Sequence, residues 1–214
     1  MFRFVHAADL HLDSPFTGIR NTHRDVGEIL RQATFAAYDN LIKLCTDREV
    51  GALLIAGDVF DGADHSLVGQ IKFIKGLERL HEHGIRTFIC HGNHDPLNGW
   101  QASLDFPKSA NRYGDVAETF SLFGESDRSV LVHGISYPRR EVRNNLIPHF
   151  SSLEKGSFNI GLVHANVGRD TAHDPYAPCE LSDLVETGYN YWALGHVHTR
   201  KILKEQLPTT IYPG

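Results

Sequence analysis

Five short runs of acids, amides and histidines hold the groups in this chain that could do chemistry. They are Asp9-Leu10-His11, Gly57-Asp58-Val59-Phe60-Asp61, Gly92-Asn93-His94-Asp95, Gly161-Leu162-Val163-His164-Ala165-Asn166 and Gly195-His196-Val197-His198. An Asp and a His two positions apart at a strand end share a face and can meet one cation. Asp58 has two carboxylate oxygens with which to bridge a pair of ions, Asn93 adds a neutral carbonyl, and His164, His196 and His198 add imidazoles. Oxygen and imidazole donors without a thiolate favour Mn, Fe, Co or Zn in a reactive site over a structural zinc. Together Asp9, His11, Asp58, Asn93, His164, His196 and His198 are too many ligands for one ion and suit two. Two ions about 3.5–4 Å apart generate hydroxide at neutral pH and clamp the attacking and leaving oxygens of a displacement at phosphorus. Taken singly, each piece has a plainer reading: His196 and His198 as turn surface, Asp58 as a loop cap, Asn93 in a left-handed turn. His164 stands without a second partner in its run, so Asn166 and His173 compete with it.

The joint pattern becomes a site because of where the runs fall. Each follows an apolar stretch of strand length, at 2–7, 52–56, 87–90, 158–163 and 191–194. In open α/β sheets ligands bind beyond the carboxyl ends of the strands. Between the first three stretches, apolar residues recurring at three and four positions predict helices over 24–48 and 66–83, the second capped by Ser66 and stopped at Gly84. Stretch 52–56 is apolar without interruption, as a strand covered on both faces should be. The order strand, helix, strand, helix, strand predicts parallel strands with right-handed connections. From 116 onward the rhythm changes. Strand-like runs at 116–122, 129–136, 158–163, 191–194 and 201–205, with brief helical pieces near 143–150 and 180–186, predict two packed sheets with helices outside. Residues 9–21 read as a loop broken by Ser14-Pro15 and Gly18, and 96–114 as an irregular loop over the site. The chain stops at Ile211-Tyr212-Pro213-Gly214 as if just leaving a strand, so a C-terminal extension is expected in the full-length protein.

Composition narrows the function classes. The 214 residues, 41% of them hydrophobic, suit one compact domain with a substantial core. A formal charge of -5 counts against a stand-alone nucleic-acid binder. Basic residues cluster in Pro138-Arg139-Arg140-Glu141-Val142-Arg143 and Thr199-Arg200-Lys201, read first as solvated surface charge and otherwise as one side of the rim. The amino terminus enters a strand at once, without an export signal. No run approaches the roughly 18 apolar residues of a spanning helix, and Cys45, Cys90 and Cys179 lack C-x-x-C spacing. The chain reads as reduced, soluble and cytoplasmic, with Cys45 and Cys90 as packing residues.

Asp9-x-His11, Gly57-Asp58-x-x-Asp61, Gly92-Asn93-His94-Asp95, His164 and Gly195-His196-x-His198 resemble the signature of the calcineurin-like metallophosphoesterase superfamily over almost the whole chain. The resemblance implies a four-layer α/β/β/α sandwich of two mixed sheets flanked by helices. It implies two divalent metal ions, Mn first among them. One would be held by Asp9, His11, Asp58 and His198, the other by Asp58, Asn93, His164 and His196. His94 would not be a ligand but the acid beside the scissile phosphate that assists the leaving group, with Asp61 orienting its ring. Ala7-Ala8-Asp9-Leu10-His11-Leu12, Gly57-Asp58-Val59-Phe60-Asp61 and Ile211-Tyr212-Pro213-Gly214 resemble more narrowly the DNA repair exonuclease branch, the SbcD-like and YhaO-like nucleases that act beside an SMC-type ATPase. That branch implies DNA ends as substrate, exonuclease or endonuclease activity in DNA repair, an ATPase partner and a homodimer.

One departure from the branch bears on mechanism. Its archaeal and eukaryotic repair nucleases carry a His three residues after the bridging Asp, where this chain has Asp61. An Asp there resembles the phosphoprotein phosphatases, whose Asp-Arg-Gly is nonetheless absent, since Gly62 and Ala63 follow Asp61. Three other readings stand beside the nuclease: a small-molecule or cyclic-nucleotide phosphodiesterase, a phosphoprotein phosphatase, and a scaffold lending its fold to a protein partner. Retention of all seven ligand types and His94 argues against the scaffold, which has no need of clustered buried acids.

Overall fold

The computed structural model describes residues 2–14, 24–62, 66–100, 102–122, 129–153, 155–168 and 174–214. The most apolar stretch becomes β2 (Ala52–Ala56), with all of its residues buried. Strand alternation assigns each side chain to a layer. Leu53 and Ile55 face the helices, while Ala52, Leu54 and Ala56 face a second sheet. Around β2 the first sheet runs β1 (Phe4–Ala7), β2, β3 (Arg86–Cys90), β4 (Ala110–Arg112), parallel throughout. Helices α1 (Arg24–Asp47) and α2 (Leu67–Glu82) cover its outer face with Tyr38, Ile42, Phe73, Leu77 and Leu80. The cap read from the sequence is present: Gly69 N donates to Ser66 Oγ at 2.9 Å.

The second sheet is mixed. Its order is β5 (Glu118–Ser121), β6 (Val130–Gly134), β7 (Phe158–His164), β8 (Tyr191–Gly195), β10 (Thr209–Tyr212), β9 (Lys201–Lys204), with β5 and β9 antiparallel at the edges. Val132, Ile160, Leu162 and Ala193 fill the space between the sheets with Leu54, Phe88 and Cys90. On the far face Trp192 and Leu194 pack against α3 (Leu181–Glu186) and the 3-10 turn Ile147–His149. Separate apolar cores thus lie between successive layers of an α/β/β/α sandwich.

Two histidines bolt the sheets together. His6 Nε2 lies 3.1 Å from the Leu194 carbonyl and its Nδ1 3.1 Å from the Tyr191 hydroxyl. His164 Nδ1 donates to the Ala56 carbonyl at 2.9 Å. These bonds set the sheets in axial register, so the carboxyl ends of β1, β2, β3, β7 and β8 open at one edge.

Several elements differ from the sequence reading. Segment 96–114 contains an edge strand, β4, which pairs with β3. Its Asn111 and Arg112 give no apolar pattern because they bond sideways: Asn111 Nδ2 to the Thr87 carbonyl at 3.1 Å, and Arg112 over the Phe106 ring at 4.3 Å. The strand expected over 116–122 narrows to β5, with Val116 exposed. Near 143–150 only a 3-10 turn forms, because Pro148 removes a backbone donor. Pro15 and Gly18 of the first loop lie outside the described residues, as does His173. Cys45, Cys90 and Cys179 are free and buried. Among the described residues no helix is long and apolar enough to cross a membrane.

Candidate metal centre

The predicted site residues meet at the shared sheet edge. Asp9 and His11 follow β1, Asp58 follows β2, Asn93 and His94 follow β3, His164 ends β7, and His196 and His198 follow β8. Asp9, His11, Asp58 and His196 hold φ of 54°, 41°, 51° and 100°. Non-glycine residues adopt this left-handed region at a cost of about 1–3 kcal/mol each, and such strain concentrates at functional sites. Bonds between neighbouring strand ends hold it in place: Asp9 N to the Gly57 carbonyl at 3.0 Å, His11 N to the Asp58 carbonyl at 3.1 Å, and His196 N to Asp9 Oδ2 at 3.1 Å.

His164 is the centre of one half of the site. With Nδ1 donating to Ala56, its Nε2 points at Asn93 Oδ1, 3.0 Å away, and Asp58 Oδ2, 3.4 Å away. An unprotonated nitrogen, an amide oxygen and a carboxylate oxygen are all acceptors, so their convergence calls for a cation or a proton between them. Burial pushes the His164 ring down, but Asp58 and Asp9 raise it to about 9. The structure brings His164, rather than Asn166, to Asp58; the Asn166 amide donates to the Asp174 carbonyl at 3.3 Å instead. The glycines of the neighbouring runs are required by this packing. A Cβ on Gly57 would come within 2.5 Å of His164 Nδ1, and one on Gly195 would strike the Ala56 carbonyl. His196 packs against the same ring, centroids 5.2 Å apart, with its Nε2 held by the Asp174 carbonyl at 2.8 Å. That hydrogen bond fixes the orientation of the His196 ring.

The other half gathers Asp9, His11 and His198. His11 Nε2 and His198 Nε2 face one another at 3.3 Å, and His198 Nε2 lies 3.6 Å from Asp9 Oδ1. Asp9, His11 and His198 form one group with donor atoms mutually within 4.8 Å, and Asp9, Asp58 and His164 form a second. Burial pushes the Asp9 carboxyl up, with Asp58 adding to the effect against His164. Burial also opposes ionisation of Asp58, yet His164 and His94 hold its carboxyl below the ordinary range. Two carboxylates sharing a dry site are what a bound cation would relieve, and the donor set of oxygens and imidazoles fits divalent metals.

Asp61 has a wider role than orienting one histidine. Its Oδ1 lies 3.2 Å from His94 Nδ1 and 3.2 Å from His11 Nδ1, the latter an ion-pair approach rather than an aligned hydrogen bond. Ser14 Oγ donates to Oδ2 at 2.5 Å. The two histidines hold the Asp61 carboxyl well below the usual range, and Asp61 in turn raises the His94 ring against its partial burial. Sequence reading also missed two residues. Asp95, fully buried, accepts from Asp58 N, Val59 N and Gly92 N at 3.1, 2.9 and 2.7 Å, joining the β2 and β3 ends. The acid standing beside His94 was the signal available. Asp174 acts through its backbone carbonyl, for which side-chain type carries no signal.

Comparison with known proteins identifies the family and several relatives of this chain. The description of the calcineurin-like phosphoesterase family matches residues 2–200. An uncharacterized metallophosphoesterase of Bacillus subtilis, YhaO, is 38% identical over 99% of this chain and 52% of its own. The DNA double-strand break repair protein Mre11 of Sulfurisphaera tokodaii is 25% identical over 94% of this chain and 50% of its own, and that of Methanocaldococcus jannaschii 23% over 92% and 51%. The chain spans about half the length of the curated relatives it matches. A match running from β1 through β8 takes in every strand end that feeds the site, and the chain belongs to the calcineurin-like phosphoesterase family.

Proposed function

We propose that this chain is the catalytic part of a two-metal phosphodiester hydrolase that processes DNA ends, with Mn as the working metal. The observation that carries the reading is the convergence of Asn93 Oδ1 and Asp58 Oδ2 on His164 Nε2, with the ring fixed from behind by Ala56, an arrangement that a proton or a metal cation must bridge. Asp9, His11, Asp58 and His198 would hold one ion, and Asp58, Asn93, His164 and His196 the other. When bound, two divalent cations lower the pKa of water and neutralise charge developing at phosphorus. Asp61 fixes His94 through Nδ1, so Nε2 is the nitrogen that protonates the leaving oxygen. Asp61 also steadies His11, which couples the acid to the ligand shell.

The DNA reading is supported by the Mre11 relatives, whose name places them in double-strand break repair. A homodimer is supported by apolar side chains left exposed on α1 and α2, among them Ile29 at 67% and Val68 at 57%. An SMC-type ATPase partner is proposed from the resemblance to the DNA repair exonuclease branch alone. The three buried free thiols fit a reduced, cytoplasmic setting.

The deciding assay offers the purified chain Mn with linear DNA, a cyclic nucleotide and an aryl phosphodiester, over a salt titration. Hydrolysis of the aryl ester is expected, with slow DNA cleavage that salt inhibits steeply, because a chain of charge -5 gains little from counterion release. Full-length protein or an ATPase partner should restore efficient end processing. Salt-insensitive DNA cleavage by this chain alone would refute the need for a partner. Cyclic-nucleotide hydrolysis with none on DNA would move the protein to the small-molecule class.

A further inference from the structure

A cavity of about 640 Å³ opens beyond the carboxyl end of β6, lined by Ser136 and Pro138 on either side of Tyr137, whose ring lies 5.6 Å from that of His164. Its walls are apolar at Ile135, Val142 and Leu146 and polar at Asn98, Asn144 and Arg139. Hydrogen bonds fasten it to the segment that carries Asn93 and His94. His91 N donates to Ser136 Oγ at 3.0 Å, Tyr137 N to the His91 carbonyl at 3.0 Å, and Leu97 N to the Tyr137 carbonyl at 2.9 Å. The opposite end is tied to the segment that holds His196. Ala177 N donates to the Val142 carbonyl at 2.7 Å, and the Arg143 guanidinium lies 5.8 Å from the Tyr176 ring, itself 6.0 Å from that of His196.

Residues 138–143 therefore form a strap along the rim, anchored at both ends on the loops of the site. Arg143 is engaged by Glu141 at 3.1 Å and by Tyr176. Arg139 lines the cavity, and Arg140 lies near enough to His94 to oppose protonation of its ring. The arginines are exposed, as solvated charge would be, yet Arg139 faces the cavity while Arg140 is close to His94.

From this geometry we infer that the cavity binds the nucleoside attached to the scissile phosphate, with Arg139 and Arg140 meeting the phosphate at the boundary with the metal centre. The volume falls within the roughly 300–1,000 Å³ of small-molecule sites. Asp115 and Glu141 on the wall repel a phosphate, so the group that enters is the neutral part of a nucleotide. Apolar side chains offer faces to a planar ring, and the Asn98 and Asn144 amides donate and accept along its edge. The inference rests on the phosphodiesterase reading above.

Two aryl esters test it: thymidine 5′-(4-nitrophenyl phosphate) and bis(4-nitrophenyl) phosphate, each with Mn, on wild type and Asn144→Trp. The new indole fills the cavity from an exposed wall position. The ratio of kcat/KM for the nucleoside ester to that for the bis ester should fall about tenfold through KM, equivalent to roughly 1.4 kcal/mol. An unmoved ratio overturns the nucleoside site and leaves the phosphodiesterase reading standing. If wild type hydrolyses neither ester, that reading fails, and binding measured in EDTA still decides the cavity. There thymidine 5′-monophosphate should shift the amide resonances of Asn98, Ser136 and Asn144 while inorganic phosphate leaves them in place. Equal shifts with both, or none with the nucleotide, would overturn the assignment.

Discussion

Replacing Asp95 by alanine removes the tie between the end of β2 and the loop after β3. Oδ1 of this buried carboxylate accepts from Asp58 N and Gly92 N, Oδ2 accepts from Val59 N, and His91 Nδ1 lies 3.2 Å away. Alanine leaves those buried backbone donors facing a methyl group. A hydrogen bond to a charged acceptor contributes about 1.5–3 kcal/mol. Water entering the space recovers part of the loss, so the expected cost is about 4 kcal/mol in total. In a domain of this size each kcal/mol moves the melting midpoint by about 2–4 °C, which gives a fall of roughly 8–16 °C. Asp95→Asn keeps one carbonyl acceptor and should lose about half as much. Circular dichroism melts in EDTA separate this effect from metal binding. A midpoint for Asp95→Ala within about 3 °C of wild type would refute the reasoning. The same variants should also take up metal less tightly, because Asp58 and Asn93 lose their common support.

Asp58→Asn should lose metal and hydrolysis together, since Asp58 faces His164 and is packed beside Asp9; two ions per chain by elemental analysis, with activity intact, would sink the bridging role. His94→Ala should keep both metals and lose about 10²–10⁴ in rate; departure of both ions would make His94 a ligand. His6, between the sheets, is pushed down to about 4 by burial, against the Leu194 carbonyl. The unfolded chain therefore takes up this proton first, and stability should fall as pH drops from about 6.5 toward 4, by about 2 kcal/mol between pH 7.5 and 5. Urea midpoints in EDTA for wild type and His6→Gln check this, and equal slopes against pH in the two proteins would exclude His6 as the cause.

What the sequence determined by itself is local. A run such as Ala52–Ala56, five residues long and apolar without interruption, reads as a strand buried on both faces, and the alternation of a strand then sorts Leu53 and Ile55 from Leu54 and Ala56. Ser66 capped its helix through a bond three residues away. The donor types of the site were legible for the same reason, since each sits next to the strand that carries it. Only the tertiary structure decided how those donors pair. His164 meets Ala56, Asn93 and Asp58 across two sheets, and a competitor beside it in the chain turned elsewhere. Asp61 is shared by His11 and His94, Asp95 ties two strand ends, and the arginines of 138–143 are drawn to the rim by bonds to Tyr137 and Val142. Pairings of this kind depend on the axial register of two packed sheets. That register follows from side-chain interdigitation and cross-sheet bonds between residues as far apart as 6 and 194, and so leaves no trace in local spacing.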